Sequence, residues 1–229
     1  GVDLDVPEGS MVAIVGPSGC GKTTMLKLIA RFYDVDDGAV RIGGVDVRDM
    51  TTEDLFARVS FVFQDVYLFN DTLRNNVLMA NPDASEEQLR AVADLAGVTE
   101  VVERLPEGWE TQCGEGGRSL SGGERQLALI ARALAQQARI LLMDEPAANL
   151  DYGNQFRLLQ QVRRLTEQGY TVLLSTHNPE HALRFATHVL ALHGGTVAAC
   201  GPVEEMLTEE LLHTLYRIPL TVAQVPVTG

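Results

Sequence analysis

Short apolar runs recur along the chain at Met11–Val15, Arg139–Met143, Thr171–Ser175 and Val189–Leu192. Each is continuous rather than alternating, which predicts strands of a largely parallel sheet buried on both faces. Helical spacing fills the gaps. Met25, Leu26, Leu28 and Ile29 make one apolar face within 22–33, and Leu127, Ile130, Ala131 and Leu134 make another further on. Strands alternating with helices predict an α/β core.

The middle of the chain breaks that rhythm. Ser85-Glu86-Glu87-Gln88 reads as a capping box, Gly97 as the stop of the helix it opens, and a second short helix follows Thr99. Pro106 and Gly108 begin a glycine-rich loop that runs to Gly123. Residues from about 71 to 137 therefore read as a helical insertion between two core strands. Asn178-Pro179 supplies a cap and a first-turn proline for a later helix. Residues 203–216 are helical in pattern, and an apolar, strand-like tail follows.

Composition changes the picture mainly by exclusion. The chain has 229 residues, enough for one large domain or a core with an insertion. Lys+Arg 18 against Asp+Glu 31 gives a net charge of −13. That disfavours nucleic acid, which demands a basic face, and electrostatic docking on an anionic bilayer. No apolar stretch is long enough to span a membrane, and Asp3 and Asp5 do not read as the start of a signal segment. Cys20, Cys113 and Cys200 are scattered and odd in number, which suggests neither a disulfide framework nor a metal site and fits a reducing compartment.

Three segments carry chemistry. Gly16-Pro17-Ser18-Gly19-Cys20-Gly21-Lys22-Thr23 fits GxxxxGK[ST] between a buried strand and a helix. Its glycines let backbone N–H groups turn toward phosphate oxygens, Lys22 neutralises terminal phosphates, and Thr23 offers a hydroxyl to Mg²⁺. The bland alternative is a glycine-rich turn before a helix. Ile140-Leu141-Leu142-Met143-Asp144-Glu145 ends a hydrophobic strand in two acids, at the edge where α/β proteins bind ligands. Asp144 would hold the metal and Glu145 polarise an attacking water; alone, the pair could equally be the acidic start of the next helix. Leu120-Ser121-Gly122-Gly123-Glu124-Arg125-Gln126 makes a second anion-binding helix tip, or simply a Ser-capped helix.

Gly16–Thr23, Gln64, Leu120–Gln126, Asp144-Glu145 and His177 stand in the order and spacing of the ATP-binding domains of ABC transporters, which this chain resembles over nearly its whole length. The resemblance implies a P-loop NTPase (RecA-like) core at 1–70 and 138–229, an inserted α-helical subdomain at about 71–137, and a partial antiparallel β subdomain. It implies ATP held by Gly16, Pro17, Ser18, Gly19, Cys20, Gly21, Lys22, Thr23 and Thr24, with Mg²⁺ on Thr23, Gln64 and Asp144. Glu145, His177 and Gln64 are the implied catalytic group. Ser121, Gly122, Gly123 and Glu124 would contact the nucleotide of an opposite subunit, with Asp151 in a loop crossing the interface. The implied partners are a second ATP-binding domain in a head-to-tail dimer and a transmembrane domain, on the cytoplasmic side of the cell membrane. A soluble, non-transport ABC ATPase and a hydrolysis-impaired binding module are the rival readings.

The likeness is uneven. Phe61–Leu73 and Gly108–Gly117 are similar to exporter-fold subunits, including siderophore-uptake ones, whereas Asp144–Gln155 and Ser175–Ala182 are similar to iron-chelate importers. The cargo stays open, with relatives of both halves carrying iron chelates. The chain begins downstream of the strand that in exporters bears an adenine-stacking aromatic, so weak, poorly adenine-selective binding is expected. Ala147 and Ala148 stand where Thr and Ser are frequent. His177 and His181, four apart, could also form a metal pair, although no third ligand is suitably spaced. His188, His193 and His213 read as surface or turn residues. Tyr67, Leu68 and Phe69 are either core or a groove for a membrane partner.

Overall fold

The structure, a computed structural model, describes residues 1–217; the apolar tail expected after residue 216 lies almost wholly outside them. β1 (Met11–Val15) leads through the glycine loop into α1 (Lys22–Ile29). A two-stranded ribbon, β2 (Arg41–Ile42) and β3 (Val45–Asp46), precedes α2 (Thr52–Phe56) and β4 (Val59–Val62). Then come α3 (Leu73–Leu78), α4 (Glu86–Ala96), α5 (Thr99–Arg104) and α6 (Gly122–Ala135). β5 (Ile140–Met143), α7 (Tyr152–Glu167), β6 (Thr171–Thr176), α8 (Pro179–Phe185) and β7 (His188–His193) follow. β8 (Thr196–Pro202), α9 (Val203–Met206) and α10 (Glu209–Tyr216) complete the described chain.

The main sheet has the order β4-β5-β6-β1-β7-β8, parallel except for β8. β1 sits inside it, paired with β6 and β7, and all five of its residues are buried. Its alternation feeds two cores. Met11, Ala13 and Val15 join an apolar cluster with the helices of the insertion, while Val12 and Ile14 join Leu26, Ala30 and Leu55 on the other face. The carboxyl ends of β1, β4, β5 and β6 therefore open on one edge.

Some elements differ from the hydrophobic pattern. α1 ends at Ile29 rather than running to residue 33. Arg31 turns left-handed at φ 55°, Phe32 N bonds back to Lys27 O, and the Arg31 guanidinium is held by the carbonyls of Val47 and Met50 at 2.9 Å each. β8 is only half-buried, so no apolar run announced it; the Gly194-Gly195 turn, with positive φ at both residues, folds it back on β7. Gly43-Gly44 makes the same kind of hairpin between β2 and β3, the antiparallel ribbon seen here. His188 and His193 are half-buried at the two ends of β7 rather than on free surface, while His213 is exposed.

The insertion obeys its local signals. Ser85 and Gln88 complete a capping box and Gly97 closes α4 at φ 74°. Asn178 caps α8 by accepting from Glu180 N at 3.0 Å. Leu68 is fully buried whereas Tyr67 and Phe69 are 50% and 45% exposed, so that cluster is one core residue between two surface rings. A buried amide fixes the arrangement. Asn76 accepts from Phe69 N at 2.8 Å and donates to the carbonyls of Phe69 and Thr72 at 3.0 Å each. Arg132 of α6, its guanidinium pulled down by burial, clasps Asn76 O and Oδ1 at 2.8 and 2.9 Å.

Candidate nucleotide site

The loop after β1 is shaped by contacts that only glycine allows. A Cβ on Gly16, at φ 147°, would lie 2.2 Å from Leu192 O and 2.8 Å from Cys20 Sγ. Cys20 is buried under the loop, the small residue that fits there, while Ser18 and Gly19 face solvent. Gly21 precedes α1 in a left-handed conformation, with no side chain capping the helix and no acid in its first turn. The first N–H groups of α1 are thereby left for a ligand. Lys22, only 5% exposed, donates to Gly16 O at 3.0 Å and Pro17 O at 3.3 Å. Thr24 lies exposed on α1.

The acids at the end of β5 meet this loop. Asp144 Oδ1 accepts from Thr23 Oγ1 at 3.0 Å and from Ser175 Oγ at 2.6 Å. Glu145 N donates to the same Ser175 hydroxyl at 2.8 Å. Glu145 itself has φ 43°, a conformation that costs a non-glycine residue about 1–3 kcal/mol and concentrates at functional sites. Its carboxylate reaches two ways, to Lys22 Nζ at 3.7 Å and to His177 Nδ1 at 2.9 Å. His177 lies just beyond β6 and is 56% exposed. Lys22, Thr23, Asp144, Glu145 and His177 thus form one linked cluster.

Ser175 was not singled out by its position in the sequence. The signal was there: a hydroxyl residue, 0% exposed, near the end of an otherwise apolar strand, in register with Ile14 of β1. Gln64 is not part of the cluster. It lies exposed two residues beyond β4, at the same sheet edge, and no hydrogen bond or ion pair joins it to Lys22, Asp144 or Glu145. His181 is also separate from His177. It is buried in α8 against Thr176, Asn178 and Gln155, and burial pushes its imidazole down from the ordinary value.

The segment Ser121–Glu124 forms the start of α6 as a full capping box. Ser121 Oγ accepts from Glu124 N at 3.3 Å, and Glu124 Oε2 accepts from Ser121 N at 2.8 Å. Glu124 also pairs with Arg104 at 3.0 Å. A Cβ on Gly122 would touch Leu150, and one on Gly123 would touch Asn154, so this tip rests on the loop before α7 and on the first turn of α7. Nothing among the described contacts joins it to the Gly16–Thr23 loop of its own chain.

A glycine loop between strand and helix, a lysine buried behind it and paired acids on the neighbouring strand of a parallel sheet define a phosphate-loop NTPase. Residues 1–148 match the family described as ABC transporter, and residues 118–181 match an AAA domain. The chain belongs to the ABC transporter family, as an ATP-binding ATPase domain.

Relatives agree with this. The mycobactin import ATP-binding/permease protein IrtA of Mycolicibacterium smegmatis is 39% identical over 206 residues, 90% of this chain and 24% of that protein. The ATP-dependent lipid A-core flippase of Desulfotalea psychrophila is 40% identical over 209 residues, 91% of this chain and 36% of its own length. The structure of a bacterial Atm1-family ABC exporter with ATP bound matches with a TM-score of 0.80 at 37% identity, over 88% of this chain and 35% of that one. The chain spans only about a quarter to a third of these relatives. Their likeness extends well past residue 127 and so is not confined to the first half. Among the described residues no helix is long and apolar enough to cross a membrane.

Proposed function

We propose that the chain drives a membrane transporter, hydrolysing ATP in a head-to-tail pair with a second ATP-binding domain on the cytoplasmic face of the membrane. The observation that carries this reading is the linked cluster of Lys22, Thr23, Asp144, Glu145 and His177, together with a second glycine-bearing helix tip, Ser121–Glu124, that makes no described contact with it. One chain then serves two nucleotides, its own through Gly16–Thr24 and its partner's through Ser121, Gly122 and Gly123. Glu124 supports that contact by shaping the helix tip.

ATP phosphates entering the loop meet the open N-terminus of α1 and draw Lys22 from Glu145. The freed carboxylate polarises a water for in-line attack, and His177, bonded to it, holds it in place and faces the terminal phosphate. Thr23 and Asp144 offer hard oxygen donors already in contact, which fits Mg²⁺, with Gln64 as a further ligand from the same edge. When bound, that ion supplies charge neutralisation to the phosphates. Phe32, Phe63, Tyr67 and Phe69 are exposed rings on either side of Gln64 in sequence, with Phe32 and Phe63 stacked at 5.9 Å. An exposed aromatic patch of this kind supports docking of a transmembrane partner there.

The test is phosphate release from ATP by the purified chain, compared with Lys22→Ala, and the mass of Glu145→Gln in ATP. Release that Lys22→Ala abolishes, with a doubled mass for Glu145→Gln, is expected. A Glu145→Gln chain that stays monomeric in saturating ATP, or a wild type that releases no phosphate, would overturn the reading.

A further inference from the structure

His181 lies within the first turn of α8 and is 5% exposed, although the chemistry above makes no use of it. Its Nδ1 is 3.1 Å from Thr176 Oγ1, and its Nε2 is 3.2 Å from both Asn178 Nδ2 and Gln155 Oε1. Burial disfavours the charged, doubly protonated ring. Both amides are already oriented by other bonds. Gln155 spends its nitrogen on Leu150 O at 2.9 Å, so its oxygen faces the ring and asks for a proton on Nε2. Asn178 spends its oxygen on Glu180 N, so its nitrogen faces the ring and asks for a lone pair there. One neutral imidazole satisfies one of them at a time, while the Thr176 hydroxyl turns to suit either.

The two ends of this connection lead to different places. Thr176 and Asn178 flank His177, which holds Glu145. Gln155 and Leu150 lie on either side of Asp151, whose carboxylate accepts from Asn154 N at 3.0 Å, and a Cβ on Gly123 at the tip of α6 would lie 3.6 Å from Asn154 Cγ. A cavity of about 30 Å³, room for one water, is lined by Glu145, Gln155, His177 and His181.

We propose that His181 is a positioning residue: through Gln155 it ties the His177 segment to the start of α7, so that the Ser121–Glu124 tip of α6 steers the His177–Glu145 pair of its own chain. The kinetic part rests on the ATPase reading above; the tie itself does not.

In steady-state ATP hydrolysis, Gln155→Leu and His181→Ala each lower kcat about 10-fold with KM changed less than about twofold. The double variant is no slower than the worse single, as expected of one shared interaction. His181→Gln, which restores a donor toward Gln155, recovers most of kcat. Gln155 is half-buried, so Gln155→Leu carries the test should His181→Ala unfold. Histidine ¹⁵N NMR on the whole chain reads a slowly exchanging Nε2–H on His181 that Gln155→Leu abolishes. Unchanged kcat in both singles, losses that multiply in the double variant, or an unprotected Nε2–H in the wild type overturns the proposal. A wild type without Lys22-dependent phosphate release overturns the ATPase reading and the kinetic role built on it, and the NMR result then stands or falls as the test of the tie.

Discussion

α1 and α6 both start from glycine-containing turns, yet their first turns are finished in opposite ways. α1 starts at Gly21, left-handed, with no side-chain cap and no acid in its first turn. α6 starts at Ser121 with a reciprocal capping box and Glu124 in its first turn. An uncapped helix start is costly in a folded protein, because its N–H groups need partners. At α1, Lys22 is bonded to the carbonyls of Gly16 and Pro17, which keeps the loop folded over the uncapped helix start. The tip of α6 satisfies itself. Its first turn is capped without any bound group, and Glu124 places a carboxylate beside it; on the proposed reading it meets a nucleotide presented by a second chain. On the proposed reading the open tip grips the phosphates and the closed tip complements the site of a second chain.

This contrast can be broken in order of effect. Lys22→Ala removes the charge behind the open tip, and phosphate release should fall about 100-fold or more, read by a continuous phosphate assay. Survival of turnover would mean that α1 does not hold the phosphates. Gly16→Ala forces a Cβ onto Leu192 O and should destabilise the fold by about 1–3 kcal/mol in urea titration. Gly122→Ala, whose nearest contact would be Leu150 at an ordinary 3.5 Å, should cost far less, so equal losses would erase the distinction between the two turns.

At the closed tip, Ser121→Ala should cost about 1 kcal/mol in the same titration, since it deletes the cap. Glu124→Gln keeps the capping box and should shift stability by only a few tenths of a kcal/mol. It also removes a negative charge beside the tip, so ATP-dependent pairing should strengthen, measured by mass in solution. Weaker pairing would mean that the carboxylate helps the second chain bind.

The smallest effect concerns pH. His181 has its pKa lowered in the fold by burial, with His177 acting in the same direction and Glu180 against it. Below the unfolded value of about 6.5 the unfolded chain takes up a proton that the folded chain refuses. Stability from this group is therefore complete above that pH and declines as pH falls toward the folded value. The melting temperature of His181→Gln should fall less than that of the wild type between pH 7 and pH 5.5.

Much of this was legible in residue order. The four apolar runs became β1, β5, β6 and β7, the Ser85 and Asn178 caps sit where their spacing put them, and Gly16–Thr23 links a strand to a helix. Such features are local: a strand or a cap is specified by residues within a few positions. Arg31, Ser175 and Gln155 were not legible in the same way. Arg31 ends α1 by reaching carbonyls beyond β3, and Ser175 gains its role only because β6 lies beside both β1 and β5. The hairpins at Gly43-Gly44 and Gly194-Gly195 carried a turn signal without an apolar run to accompany it.

By itself, then, the sequence determined the four apolar strands, the capped helices, the glycine loop between a strand and a helix, and the family to which the chain belongs. Periodicity and glycine spacing act over a few residues and survive without knowing the fold. Tertiary structure alone decided that Leu68 is core while Tyr67 and Phe69 face solvent, that Gln64 stands apart from the acids, and that His181 joins α7 rather than pairing with His177. Each of these depends on strand register and helix packing between segments far apart in the chain, where a hydroxyl, an amide and an imidazole acquire meaning only from the neighbour they meet.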